Sequence, residues 1–185
     1  MIETIEKKSQ PYINGGWIIE NREVALIKNP YSGEVIGEQL LANEEDVEKA
    51  LNKKDGKISL VVLNSVCGCA ARAARPGVLL SLFNEVVPDN LYTVFAGMEK
   101  AAVNHFRENF LLGVTPTSPN IAILKDGELV EILQRHQIEG KSAGQIADEL
   151  VGLYNKDATK KNSEEEISAM RSRFIDRYQV DPLGV

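Results

Sequence analysis

Residues 57–66, KISLVVLNSV, form an apolar run rich in β-branched side chains. A run that is apolar at successive positions suits a strand buried on both faces, and such a strand needs helices above and below it. The flanking sequence offers them. NEEDVEKALNKK reads as a short helix, with Asn43 as its N-cap and acids in its first turn. AARAARPGVLLSLFNEV is helical, with an interruption expected at Pro76-Gly77. NLYTVFAG is a second strand. In MEKAAVNHFRENFLLG, residues Ala102, His105, Phe106, Phe110 and Leu111 make one helical face, and Gly113 ends it. NIAILKDGELVEIL is a hairpin around Asp126-Gly127, and SAGQIADELVGLYN is a closing helix. The order over residues 44–155 is α-β-α-β-α-β-β-α. Two parallel crossovers followed by an antiparallel hairpin predict an α/β fold, a mixed sheet flanked by helices.

The ends differ from this middle. Residues 1–43 read as a β-rich arm. Asn14-Gly15-Gly16 is a turn signal, and Asn29-Pro30-Tyr31-Ser32-Gly33 separates strand-like stretches at Val24–Lys28 and Glu34–Leu40. Trp17 is expected as an apolar anchor of the arm. Residues 156–185 open with a polar linker, KDATKKN. A capping box at Ser163-Glu164-Glu165-Glu166 then starts an amphipathic helix with Ile167, Met170, Phe174 and Tyr178 along one stripe. Strand-like stretches such as these cannot form a stable isolated hairpin in water. The arm and the C-terminal helix therefore need a surface, either within the chain or in a homo-oligomer built through both additions.

Charge and composition narrow the function. The net charge is −6 and no Lys/Arg cluster stands out, which argues against nucleic acid as a partner. No apolar run approaches a membrane span and the first residues lack a secretory apolar core, so a cytoplasmic protein is expected, with no membrane partner. The chain has two cysteines, which is no disulfide-stapled scaffold.

Those cysteines are Cys67 and Cys69, separated by Gly68, where the apolar strand meets the next helix. Free N–H groups and the helix dipole favour an anion there. A helix N-terminus lowers a cysteine from a pKa near ~8.5 to roughly 3.5–7.5, and the thiolate is the attacking species. Arg72 and Arg75 are candidates for added positive potential. In Cys-x-Cys a helical backbone turns the second Cβ away from the first, so closing a disulfide needs non-helical backbone at Gly68. Mixed disulfides at Cys67 are therefore expected, with Cys69 as resolving thiol. Two bland readings compete. Buried cysteines can serve as small hydrophobes. A zinc site would need about four ligands, and only His105 and His136 accompany the thiols, neither at ligand spacing, so no metal is expected.

The segments VVLNSVCGCAARAARP, TVFAG, TPTSPNIAILKDGELV and RHQIEG together resemble the bacilliredoxin family, thioredoxin-like proteins with a CGC motif, over about residues 44–155. The resemblance implies that Cys67 is the attacking thiol and Cys69 the second motif thiol. It implies removal of bacillithiol from S-bacillithiolated proteins, with weak disulfide isomerase activity as a related property. Arg72 departs from the small residue usual in that family. SPNIAILKDGE is also similar to the thioredoxin segment that carries a cis-proline before a hairpin. That places Ser118 and Pro119, with a cis bond between them, beside the thiols as substrate-binding residues together with Gly68. His136 and Glu139 match the family motif but read as a plain turn before the last helix.

Residues 12–51 resemble the N-terminal arm of aldehyde dehydrogenases. No Gly-rich dinucleotide fingerprint follows, so no catalytic residue is carried over. The expected function is a thiol–disulfide oxidoreductase acting on S-thiolated client proteins. Its co-substrate is a low-molecular-weight thiol such as bacillithiol, with no metal or organic cofactor. The alternatives are a protein disulfide isomerase using the CGC pair, and a non-enzymatic scaffold in which arm and C-terminal helix dock a partner.

Overall fold

The apolar run becomes the central strand. The computed structural model describes residues 23–184, together with the backbone of three two-residue strands before them, β1 (Lys8–Ser9), β2 (Tyr12–Ile13) and β3 (Gly16–Trp17). The arm continues as β4 (Val24–Lys28) and β5 (Val35–Leu40), and α1 (Glu44–Leu51) leads into the main domain. There β6 (Ile58–Asn64) precedes a π-helical segment (Ala70–Ala74) that runs into α2 (Arg75–Ser81). Next come β7 (Val86–Val87), β8 (Asn90–Phe95), α3 (Lys100–Phe110), β9 (Asn120–Lys125) and β10 (Glu128–Leu133). The chain finishes with α4 (Arg135–Ile138), α5 (Ala143–Asp157), β11 (Lys160–Lys161) and α6 (Glu164–Tyr178).

The main sheet has the order β10-β9-β6-β8. Strand β6 is parallel to β8 and antiparallel to β9, and β9 forms the expected hairpin with β10. This is the thioredoxin-like arrangement. Because successive side chains of a strand alternate faces, β6 feeds two cores. Val61 and Leu63 join Ala122, Leu124, Val103 and Phe106 on the face covered by α1 and α3. Ile58, Leu60 and Val62 join Ile121, Ile123, Ile146 and Tyr154 on the face covered by α2 and α5. In the β9–β10 turn, Asp126 and Gly127 have φ of 54° and 79°, the left-handed pair that a two-residue hairpin of matching twist requires.

The helix after the cysteines is not interrupted at Pro76-Gly77. A proline ring clashes with the carbonyl of residue i−4 and supplies no N–H. The chain absorbs this one turn earlier: Arg75 N–H reaches back five residues to Ala70 C=O, and Pro76 then falls in the first turn of α2. Gly77 is needed for packing. A Cβ there would lie 2.6 Å from Ile146 Cβ and Cγ2 and 3.0 Å from the Ala143 carbonyl, so glycine lets α2 press against α5.

In the arm, β4 and β5 pair in the expected hairpin, and Gly33 (φ +73°) donates its amide to Asn29 C=O at 2.9 Å. Leu40 and Leu41 are buried, whereas Val24, Leu26, Val35 and Ile36 are exposed. The Asn14-Gly15 turn and the side chains of Trp17 and Ile18 lie outside the described residues. The segment expected as a linker is partly structured. Lys160 and Lys161 pair with Val87 and Val86, and Asn162 Nδ2 donates to the carbonyls of Leu82 and Asn84, both at 3.0 Å. Its polar composition hid this, because the bonds are made by backbone and amide groups. On α6 the capping box at Ser163 is formed, and Ile167, Met170 and Phe174 are half-buried while Tyr178 is exposed. No helix among the described residues is long and apolar enough to cross a membrane.

Candidate active site

Strand β6 delivers the CGC motif to one end of the sheet. The helix begins at Gly68, so Cys67 is its cap. The Cys67 carbonyl accepts the first helical bond, from Ala71 N–H at 3.1 Å, and its sulfur accepts the Ala70 amide at 3.4 Å. A side-chain acceptor of the third helical amide is what an N-cap provides. Here the acceptor is a thiol. The Ser65 hydroxyl lies 3.2 Å from the same sulfur.

These contacts set the electrostatics. Burial pushes the Cys67 thiol up, but hydrogen bonds from the Cys69 thiol, Ser65 and the Ala70 and Cys69 amides outweigh it and lower the pKa from 9.0 to about 7. Cys69 moves the other way. Burial raises it, its hydrogen bond to Cys67 and the charge of that thiolate raise it further, and Arg135 only partly offsets them. Both thiols are free. The pair therefore divides into one sulfur held ready as thiolate and one kept protonated. The two thiols rank in the expected order, and the hydrogen bonds at the Cys67 sulfur, that from the Cys69 thiol first, account for it.

The arginines divide differently from expectation. Arg75 is spent on structure, donating to Asn64 Oδ1 at 3.2 Å and to Ser65 C=O at 3.0 Å, which pins the turn between strand and cap. Arg72 is exposed on the helix. Arg135, the first residue of α4, is the cation whose field lowers Cys69. Sequence reasoning missed it. Within RHQIEG the chemistry-bearing residue types are His136 and Glu139, and both of those are exposed.

Gly68 has helical backbone, and a Cβ there would meet nothing within 4 Å, so the space beside the thiols is open. The Ser118–Pro119 bond is cis, as expected. Leu63 is opposite Asn120 in the antiparallel β6–β9 pair, so the residues after β6 and those before β9 leave the sheet at the same end. Pro119 is buried and Ser118 half-buried. A cavity of about 410 Å³ bounded by Leu40, Val47, Val94 and Phe106 contains neither cysteine, and the thiol chemistry lies outside it. His105 sits elsewhere, with Nε2 2.6 Å from Glu48 Oε1. Among the described residues no cluster of three or more His, Cys, Asp or Glu could hold a metal.

The family model described as disulphide isomerase matches residues 28–158. That span begins inside the arm, at a residue of β4. Bacilliredoxins of Staphylococcus aureus strains NCTC 8325 / PS 47 and COL are each 46% identical over 123 residues, which is 66% of this chain and 83% of theirs. Among solved structures, Trxlp from Edwardsiella tarda EIB202 covers 52% of this chain and 84% of its own, at 23% identity and a TM-score of 0.38, a likeness too slight to bear on function. A capped low-pKa thiol and a second thiol on a thioredoxin-like sheet, with the bacilliredoxin relatives, define a thiol–disulfide oxidoreductase. The chain belongs to the bacilliredoxin family.

Proposed function

We propose that this protein removes a low-molecular-weight thiol, of the bacillithiol kind, from S-thiolated client proteins. The Cys67 thiolate attacks the small-thiol sulfur of the mixed disulfide. A bond forms between Cys67 and the small thiol, the bond to the client breaks, and the client leaves as thiolate and takes a proton from solvent. A second small thiol, as thiolate, then attacks the Cys67 adduct and releases a symmetric small-molecule disulfide and free Cys67. Cys69 is the resolving alternative: its thiolate attacks Cys67 sulfur and expels the small thiol, leaving an internal disulfide. Gly68 leaves room for the incoming sulfur, and Ser118 and Pro119 line the client side.

One observation carries this reading: the hydrogen bonds at the Cys67 sulfur, from the Cys69 thiol first and then Ser65 and the Ala70 amide, bring its pKa to about 7, while burial and the neighbouring Cys67 sulfur raise Cys69. Thiolate supply and nucleophilicity are best balanced when the thiol pKa is near ambient pH. Intact mass after mixing with a bacillithiolated client tests it. The small thiol should move onto Cys67, and Cys67→Ser should leave the client capped.

The family description, disulphide isomerase, favours a second reading in which the CGC pair acts on client disulfides directly. Rates on a small-thiol-capped protein and on a scrambled disulfide protein separate the two. A third, non-enzymatic reading as a docking scaffold predicts that replacing both cysteines leaves every effect intact.

A further inference from the structure

Strands β6 and β10 are both antiparallel to β9, so they run parallel to each other and end together. Ile121 registers both ends, standing opposite Val62 on one side and Leu133 on the other. Two strand spacings separate β6 from β10, about 10 Å. Arg135 follows β10 by one residue, just as the thiol turn follows β6. The face is shared as well as the end. Ile138 of α4 is fully buried in the same core as Ala73 and Ala74 of the π-helical segment. Arg135 is thus held at the rim of the thiols by a packed turn, which the Gln134–Gln137 capping box closes.

The charge around that rim is one-sided. The protein carries a net −6, yet residues 58–84 and 109–125, which supply the thiol turn and the Pro119 loop, contain no Asp or Glu. Glu99, near the end of β8, is committed to the Phe95 amide at 2.7 Å and the Ala42 amide at 3.3 Å. Arg75 is committed to Asn64 and Ser65. Among the described residues the Arg135 side chain makes no hydrogen bond or ion pair, not even with the Glu139 carboxylate four residues on, and it is exposed. An uncompensated guanidinium beside a reactive sulfur, in an acidic protein, is arranged to receive an anion.

We infer that Arg135 is a binding residue for a carboxylate carried by the small thiol, holding it while its sulfur is transferred to Cys67. This rests on the transfer reaction proposed above and names the class of thiol it takes: one that carries a carboxylate as well as its sulfur. The balanced half-reaction is attack of Cys67 thiolate on a symmetric disulfide, giving the Cys67 mixed disulfide and one small thiolate.

The test uses the full chain with Cys69→Ser, so that Cys69 ionisation does not enter. Second-order rates of Cys67 adduct formation are measured with glutathione disulfide, which bears carboxylates, with uncharged 2-hydroxyethyl disulfide and with cationic cystamine. Adding Arg135→Gln should slow glutathione disulfide about five- to tenfold, the scale of one charge-assisted contact. It should leave the uncharged disulfide within about twofold and speed cystamine, and the glutathione preference should shrink with salt. Arg135→Lys should recover part of the preference. An equal change with all three probes would overturn the inference and leave the transfer reaction standing. A Cys67 that reacts with none of them before Arg135 is altered would instead overturn the proposed function.

Discussion

Ala70 donates its amide to the sulfur of Cys67 at 3.4 Å, so the nucleophile is tied directly to the helix that follows it. Thiolate and helix start stabilise each other: the sulfur satisfies an amide that would otherwise lack a partner, and the amide favours the charged sulfur. The chain needs no separate Ser, Asp or Asn at this helix end.

The rate of Cys67 alkylation by iodoacetamide should therefore rise with pH to half its maximum at about 7. The thiolate is lost as pH falls through that value, so reactivity falls on the acid side. Cys69, raised above 9.0, should react more slowly near neutrality. Ser65→Ala removes one of the bonds to Cys67 and should move its midpoint up by about one pH unit. Peptide-resolved mass spectrometry across pH reads both sites, and faster labelling of Cys69 at pH 7 would reverse the assignment.

Single replacements should separate the thiols by role. Cys67→Ser should abolish adduct formation from a small disulfide. Cys69→Ser should keep that first step and accumulate the Cys67 adduct, visible as one added small thiol in the intact mass. An adduct that forms on Cys69 with Cys67 replaced, at the native rate, contradicts this order.

Gly77→Ala should destabilise the fold by about 1–3 kcal/mol, the usual range for overpacking a tight core contact. The added methyl meets Ile146 at 2.6 Å and the Ala143 backbone carbonyl at 3.0 Å, and Ile146 is fully buried. Urea unfolding reads this directly. A midpoint unchanged from the parent would mean that α2 and α5 have room to part.

Tyr154→Phe tests the other end of the same helix pair. The Tyr154 hydroxyl lies 3.0 Å from Ser81 Oγ, which itself donates to Val78 C=O at 2.7 Å, and burial lifts the Tyr154 pKa to about 12. Phenylalanine keeps the ring and removes one buried hydrogen bond, which should cost about 1 kcal/mol. The same urea measurement checks it, and activity at Cys67 should not change.

The order of elements, the central strand and the hairpin at Asp126-Gly127 are legible in the sequence because each rests on a local pattern: an unbroken apolar run, a helical period, a turn pair that needs positive φ. Cys67 is legible for the same reason, as a sulfur at a strand–helix junction. Other features arise from residues far apart in the chain. Arg135 reaches the thiols only through the register of β6, β9 and β10, which no local window contains. The pairing of Lys160–Lys161 with Val86–Val87 is made by backbone groups that composition does not reveal. Pro76 misleads for a different reason. A proline reads as a break, whereas the helix before it has already widened by one residue to accommodate it.

The cap at Cys67 also governs how the protein lets go. In thiol–disulfide exchange the sulfur with the lower pKa departs more readily. Once Cys67 is joined to a small thiol, the amide of Ala70 and the hydroxyl of Ser65 stand ready to receive the charge that returns to it when the bond breaks. The contacts that prepare attack thus also make Cys67 a good leaving group, so in the proposed reaction its adduct would be a transient carrier and not a resting state.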